Sequence, residues 1–358
     1  MTKAAELAKM GEVLTNSQIG GRRNIIINGA MQVAQRATSS TGIGGSSGYF
    51  TCDRWHMSPS GTAGRLTMTQ DSSAPSGFAN SIKLDCTTAD TSIASSEFLL
   101  FTQKIEGQDV QSFAKGTSDA KQFSLSFYVK GNASATYVAE LMDEDNSNRH
   151  ANKSFSVTTD WTRVELLFPA DTTGTLDDDN ALSLSLNIWL HAGSDFTSGS
   201  LQTTWGALSQ TSRAVGISSF FSSTDNTFFI TGVQLEVGSQ ATPFEHRSFG
   251  EELTLCQRYF QLISGGAVMP SSSTGIEGSV TRQEMRAATS ISVTAAMKVE
   301  DPSVTTYTQS SASATISNSD KFAEKFTLQN FSGLNTQRPY FLKNPQDGGG
   351  QIELDAEL

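Results

Sequence analysis

The stretch Leu182-Ser183-Leu184-Ser185-Leu186-Asn187-Ile188-Trp189-Leu190-His191 decides the fold. Its five aliphatic residues alternate with Ser, Asn, Trp and His. Successive side chains of a strand point to opposite faces, so period-two alternation describes a strand with one face in a core and the other turned away from it. The pattern recurs further along. Phe123, Leu125, Phe127 and Val129 alternate with Ser124, Ser126, Tyr128 and Lys130, and Val164, Leu166 and Phe168 alternate with Arg163, Glu165 and Leu167. Turn-rich breaks at 130–132, 143–148, 171–180 and 193–199 part these runs. No long helical pattern lies between them, which argues against a parallel α/β sheet. The fold class predicted is mainly β: two antiparallel sheets packed face to face, a β-sandwich of jelly-roll type.

The chain has 358 residues, more than one core of ordinary size accommodates, since cores stop growing near ~250–300 residues. Three segments are expected. The first, 1–21, is a short N-terminal helix with Leu7, Met10 and Leu14 on one face, stopped by Gly20-Gly21. The second, 22–247, is the sandwich. It opens with a strand at Ile25-Ile26-Ile27, a tight turn at Asn28-Gly29, and a Ser/Thr/Gly linker over 38–48. The third, 248–358, is a smaller β module opened by a short helix. Ser248-Phe249-Gly250-Glu251 has the spacing of a capping box, in which the Ser hydroxyl and the Glu carboxylate satisfy each other's backbone N–H. Strands are expected at 279–287, 290–299, 305–309, 312–317, 322–331 and 352–357.

Lys and Arg number 25 against 36 Asp and Glu, for a net charge of -11. Such a surface repels polyanions, which disfavours nucleic acid and anionic membrane as partners. Charged residues make up only 17%, below the ~25% usual for soluble domains, and uncharged polar residues take their place. No run approaches the ~20 apolar residues that span a bilayer, so no membrane insertion is expected. The first residues lack the apolar stretch and cleavage pattern of a secretory signal. Cys52, Cys86 and Cys256 are odd in number and widely spread; they read as buried thiols and not as a disulfide framework or zinc site.

Catalytic signatures are missing. There is no phosphate-binding Gly loop, no nucleophile elbow and no zinc-binding His-Glu-x-x-His. The expectation is a protein that is not an enzyme, with no catalytic residues, no cofactor and no metal. The acidic runs Asp143-Glu144-Asp145 and Asp177-Asp178-Asp179 supply the oxygens that Ca²⁺ requires, but solvated acidic turns are the heavier reading. Glycan binding has a better basis. If Leu182 to Leu190 face the core, Trp189 and His191 lie on the opposite face beside Asn187. A flat apolar ring with a polar rim is a surface on which sugar rings stack. Tyr128 and Lys130 occupy the polar-facing side of another strand by the same count. The competing reading, weighted above it, is that a loop or a neighbouring subunit covers Trp189.

Arg22-Arg23-Asn24-Ile25-Ile26-Ile27-Asn28-Gly29-Ala30-Met31-Gln32-Val33-Ala34-Gln35-Arg36, followed by Asp53-Arg54-Trp55, resembles the opening of bacteriophage tail-fibre-like proteins of the marine phage type. The segment 231–238 with Ala241-Thr242-Pro243-Phe244-Glu245 resembles the closing strand of the same domain, and Cys256-Gln257-Arg258-Tyr259-Phe260 the start of its distal module. The resemblance spans roughly 22–260. It implies a structural virion protein, a homotrimer with a jelly-roll domain similar to carbohydrate-binding modules. It would act as a tail fibre or receptor-binding protein contacting host surface glycan. It would be assembled in the host cytoplasm and exposed on the particle surface, with Leu7, Met10 and Leu14 attaching it to other virion proteins. Runner-up readings are a capsid decoration or tail connector without receptor binding, and a glycan depolymerase. A long fibrous shaft, common in tail fibres, is not found here.

Overall fold

The computed structural model describes residues 23–319, 323–343 and 349–358, together with Lys3 and Gln346. The expected attachment residues Leu7, Met10 and Leu14 lie outside the described residues. The chain divides into two compact units that part between Glu252 and Leu253, with Leu358 grouped with the first.

The first unit is built from β1 (Ser39–Ile43), β2 (Gly48–Tyr49), β3 (His56–Ser60), β4 (Arg65–Asp71), β5 (Ser81–Thr88), β6 (Phe98–Glu106), β7 (Phe123–Gly131), β8 (Ala135–Asp143), β9 (Arg149–Val157), β10 (Thr162–Phe168), β11 (Leu182–Ala192) and β12 (Thr227–Val237). They form two six-stranded sheets, ordered β1-β4-β5-β12-β7-β10 and β2-β3-β6-β11-β8-β9. Every pairing in them is antiparallel. The mainly β jelly-roll sandwich is therefore the observed fold.

The alternation that predicted it sets the core. Leu184, Leu186, Ile188 and Leu190 of β11 are buried in one cluster with Leu125, Phe127 and Val129 of β7 and with Ile230 and Leu235 of β12. Each such side chain stabilises the fold by roughly 1.5–3 kcal/mol on leaving water. Trp55 stacks on Phe101 at 4.6 Å between ring centroids within the same core. The register of β11 against β6 shifts twice, between Leu182 and Leu184 and between Trp189 and His191; at the second shift Leu190 is the extra residue of a bulge.

Two local expectations are corrected. Ile25-Ile26-Ile27 is buried but forms no strand. The Ile27 backbone N–H donates to Gln103 Oε1 at 2.9 Å and the Ile26 N–H to Asn24 Oδ1 at 3.0 Å, so side chains supply the partners a neighbouring strand would have given. The turn at Asn28-Gly29 follows, with Asn28 at φ 58°. The 38–48 stretch is not only a linker, because Ser39–Ile43 pairs with β4 as an edge strand.

The second unit holds β13 (Phe260–Ile263), β14 (Ala267–Pro270), β15 (Ile276–Thr281), β16 (Ser290–Val293), β17 (Lys298–Glu300), β18 (Thr306–Thr308), β19 (Thr315–Ser319), β20 (Ala323–Leu328), β21 (Tyr340–Leu342) and β22 (Ile352–Asp355). A three-stranded sheet, β13-β22-β16, and a seven-stranded sheet, β18-β17-β21-β14-β15-β20-β19, share a core that includes Ile276, Met297, Phe326, Tyr340 and Leu354. The strands are short, and β13, β14 and β21 were not expected from the sequence. In sequence, a helix, Phe249–Gln257, spans the boundary between the two units. Its start is the capping box: Ser248 Oγ accepts from the Glu251 N–H at 3.3 Å, and Glu251 Oε2 accepts from the Ser248 N–H at 2.9 Å. Among the described residues no helix is long and apolar enough to cross a membrane.

Candidate functional site

The outer face of β11 is not open. Residues 193–222 leave the end of that strand and fold back over the second sheet as a strap. The strap contains a short helix, Ser194–Thr197, and short 3-10 turns at Gln210–Ser212 and Phe220–Ser222. It runs along the edge strand β9, exchanging backbone hydrogen bonds between His150 and Gly206 at 3.0 and 3.2 Å. The strap thereby satisfies a sheet edge that would otherwise present unpaired backbone groups. Beneath it, Trp189 packs with Leu100, Val138 and Ala214, flanked by Phe98, Phe196 and Ile217. Trp189, His191 and Asn187 are all buried. The expected open platform of Trp189, His191 and Asn187 is thus corrected to a covered one.

The polar residues under the strap converge on Glu140, which is wholly buried on β8. Arg213 of the strap donates from Nε at 2.8 Å and from Nη2 at 2.7 Å. Asn187 Nδ2 and Trp189 Nε1 donate at 3.0 and 3.2 Å, and His150 Nδ1 lies at 3.2 Å. Burial pushes the Glu140 carboxyl up, but the Arg213 guanidinium and the hydrogen bonds from Arg213 and His150 outweigh it and hold the group down at about 2. Arg213 also covers the Trp189 ring at 4.7 Å. The network clamps the strap and seals it from solvent, which suits a structural part.

Tyr128 and Lys130 lie apart from that network, half-buried on the outer face of the first sheet. Tyr128 packs against Phe78 at 5.4 Å, and Phe78 against Phe244 at 5.0 Å. Lys130 sits over the rings of Phe229 at 4.7 Å and Trp161 at 5.5 Å. The sites predicted on β7 and β11 therefore occupy opposite sides of the sandwich and make no common surface.

The acidic runs part in the same way. Asp143 is buried and paired with the buried Lys115, whose Nζ also lies 3.2 Å from Asp171 and 2.9 Å from the carbonyls of Thr173 and Gly174. Asp143 is neither a solvated turn nor a ligand, because the ammonium neutralises it. Asp177, Asp178 and Asp179 are exposed.

One end of the sandwich carries groups that the sequence reading did not single out. There the β7–β8 turn meets residues 218–227 around a cleft of about 180 Å³ lined by Asn132, Ser134, Ser218, Ser222 and Asn226, with Tyr137 below. No charged residue lines it. Its walls are fixed by hydrogen bonds: Asn132 Oδ1 accepts from the Thr227 N–H at 2.9 Å, Ser218 Oγ from the Thr136 N–H at 3.1 Å, and Asn226 Nδ2 donates to the Phe220 carbonyl at 2.9 Å. Ser219, which also lines the cleft, bonds His191 Nδ1 at 2.8 Å. These residues belong to separate turns, so no spacing in the sequence announces the cleft.

No family model and no curated protein matches the chain. Among solved structures it is similar to a family 4 carbohydrate-binding module, at 12% identity over 52% of this chain and 88% of that one, with a TM-score of 0.29. It is similar to a family 61 module in complex with β-1,4-galactotriose, at 10% identity over 61% of this chain and 100% of that one, TM-score 0.32. It is also similar to the enzymatically active domain of tailspike protein 4 of bacteriophage CBA120, at 13% identity over 60% of this chain and 21% of that one, TM-score 0.30. At such TM-scores these likenesses do not decide what the chain does.

Proposed function

We propose that this chain is a non-catalytic structural protein of a bacteriophage particle, a homotrimeric tail fibre or receptor-binding protein that binds host surface glycan. The observation that carries glycan binding is the uncharged cleft beside Tyr137. Ligand sites are concave, with a few fixed polar groups that set orientation. Hydroxyls and amides with no net charge complement a neutral polyhydroxyl ligand, and their prior fixation lowers the ordering cost of binding. The volume of about 180 Å³ is that of about six waters, the scale of one sugar residue held at a chain end or branch. The virion setting and the trimer rest on the resemblance of 22–260 to tail-fibre-like proteins.

The test is a glycan array and a host-cell decoration assay with labelled full-length protein. Ser134→Trp fills the cleft from its exposed rim. It is expected to weaken binding at least tenfold with the melting temperature unchanged. Trp161→Ala, on the outer face of the first sheet, should leave binding intact. Glycan binding lost in Trp161→Ala but kept in Ser134→Trp moves the site to that face, and failure to bind any glycan or permissive host overturns the reading.

A further inference from the structure

Three acidic or imidazole groups meet at the end of the sandwich where the strap begins. Asp90 lies in the loop after β5, Glu97 just before β6, and His191 near the end of β11. All three are buried, and one ligand atom from each lies within 4.8 Å of the others. His191 Nε2 and Glu97 Oε2 face each other at 3.6 Å, too far for a hydrogen bond, and neither atom has any other hydrogen-bond partner. The other nitrogen of His191 and one oxygen of Asp90 are held. Ser219 Oγ bonds His191 Nδ1 at 2.8 Å, and Asp90 Oδ2 accepts from Thr62 Oγ1 at 2.7 Å and from the Ala63 N–H at 2.8 Å.

The loops that bring the three together are tightly placed. A Cβ on Gly193 would lie 2.0 Å from the Ala94 carbonyl oxygen, and the Gly193 N–H donates to the Glu97 carbonyl at 2.8 Å. The turn that carries Glu97 is thus pinned to the strand end that carries His191.

From this geometry we infer that Asp90, Glu97 and His191 form a binding site for a divalent first-row transition cation, with Zn²⁺ the best fit. In the tautomer whose Nδ1–H donates to Ser219 Oγ, His191 Nε2 and Glu97 Oε2 are two buried acceptors that face each other, which costs free energy unless a cation stands between them. With Nδ1–H donating to Ser219 Oγ, the imidazole turns the bare lone pair of Nε2 toward Glu97, the orientation that metal-bound histidines take from such partners. Two ligands at about 2.1 Å from a tetrahedral Zn²⁺ stand about 3.4 Å apart, close to the 3.6 Å seen here. One imidazole and two carboxylates balance the +2 charge in a buried setting, and a mixed N/O set favours a transition ion over Ca²⁺. Three protein ligands leave a fourth position for water or a ligand. The site would fasten the β5–β6 loop to the root of the strap, and through Ser219 to the wall of the neutral cleft.

The full-length chain, stripped with chelator and dialysed, is titrated with Zn²⁺ alone and with Ca²⁺ alone, with calorimetry and a thermal melt as readouts. One equivalent of Zn²⁺ is expected to bind and raise the melting temperature, with Ca²⁺ at least tenfold weaker. Glu97→Gln keeps the shape, and its amide can donate to His191 Nε2. It should fold with an apo melting temperature equal to or above the wild type and lose at least about 100-fold in Zn²⁺ affinity. Asp90→Asn provides a second ligand variant with the same expected loss. Absence of stoichiometric Zn²⁺ binding in the wild type, or equal Zn²⁺ binding by both variants, overturns the site. Neither readout uses glycan, so failure of the cleft leaves this test intact.

Discussion

Arg213→Met removes the guanidinium that faces Glu140, the largest of the groups holding its carboxyl down, while keeping the apolar cover over Trp189. The Glu140 carboxyl is held at about 2 in the folded chain against an ordinary 4.5. At about 1.36 kcal/mol per pH unit, that difference is worth about 3 kcal/mol at neutral pH. Stripping one partner from a buried pair costs roughly 3–5 kcal/mol, and since Arg213 keeps 11% side-chain exposure, the lower end is expected. The sign follows from the direction of the shift. A depressed folded pKa contributes in full above about pH 4.5 and is lost as pH falls through about 2. The gap between wild type and Arg213→Met should therefore be about 3 kcal/mol at pH 7 and shrink to about half by pH 3. All four tryptophans (Trp55, Trp161, Trp189, Trp205) lie in the first unit, so urea unfolding followed by Trp fluorescence reads that unit alone. Because one or two kcal/mol is a large share of a domain's stability, the effect is well above error. A gap below about 1 kcal/mol, or one that stays constant from pH 7 to pH 3, would refute the claim that Arg213 neutralises a buried carboxylate.

Three further outcomes can be measured on the same chain. Ser248→Ala removes the acceptor of the capping box and should cost about 1 kcal/mol, read by calorimetry. Gly29→Ala places a Cβ 2.1 Å from the Val233 carbonyl oxygen; an overpacked site of that kind costs roughly 1–3 kcal/mol, visible as a lower urea midpoint. Cys52, Cys86 and Cys256 are buried and form no disulfide among the described residues, and burial pushes the thiols of Cys52 and Cys86 above their ordinary value. A thiol reagent at pH 8 should label none of the three within minutes in the native protein and all three in denaturant.

The sandwich was legible because strand alternation records the core directly: Leu184 to Leu190 and Phe123 to Val129 sit where the count placed them. The triple isoleucine misled because propensity reports a wish for burial and an extended backbone, and here side chains of Asn24 and Gln103 met the backbone groups instead. In the second unit the strands are three to six residues long. That is too short for a period to declare itself, and β13, β14 and β21 passed unnoticed for that reason.

The covered Trp189 shows what alternation leaves open. Period two says which residues turn from the core, and it is silent on whether a second layer lies beyond them. The missing information was in the composition of 193–222. Ser, Thr and Gly dominate there and read as turns, but Phe196, Leu201, Trp205, Ile217, Phe220 and Phe221 recur through it. A solvated loop has no use for six large apolar side chains, because leaving each exposed forgoes the free energy of burial. Such a segment must lie on something: Phe196, Leu201 and Ile217 cover Trp189 on the outer face of β11, while Trp205, Phe220 and Phe221 pack on the main core of the sandwich. Arg213 then has to find an anion beneath an apolar cover, and Glu140, directly opposite Asn187 in the β8–β11 register, is the one in reach. The strap thus moves the exposed chemistry of this unit from the sheet face to the sandwich end. There Asn132, Ser134 and Asn226 reach solvent, and Asp90, Glu97 and His191 converge behind them from parts of the chain that no spacing rule connects.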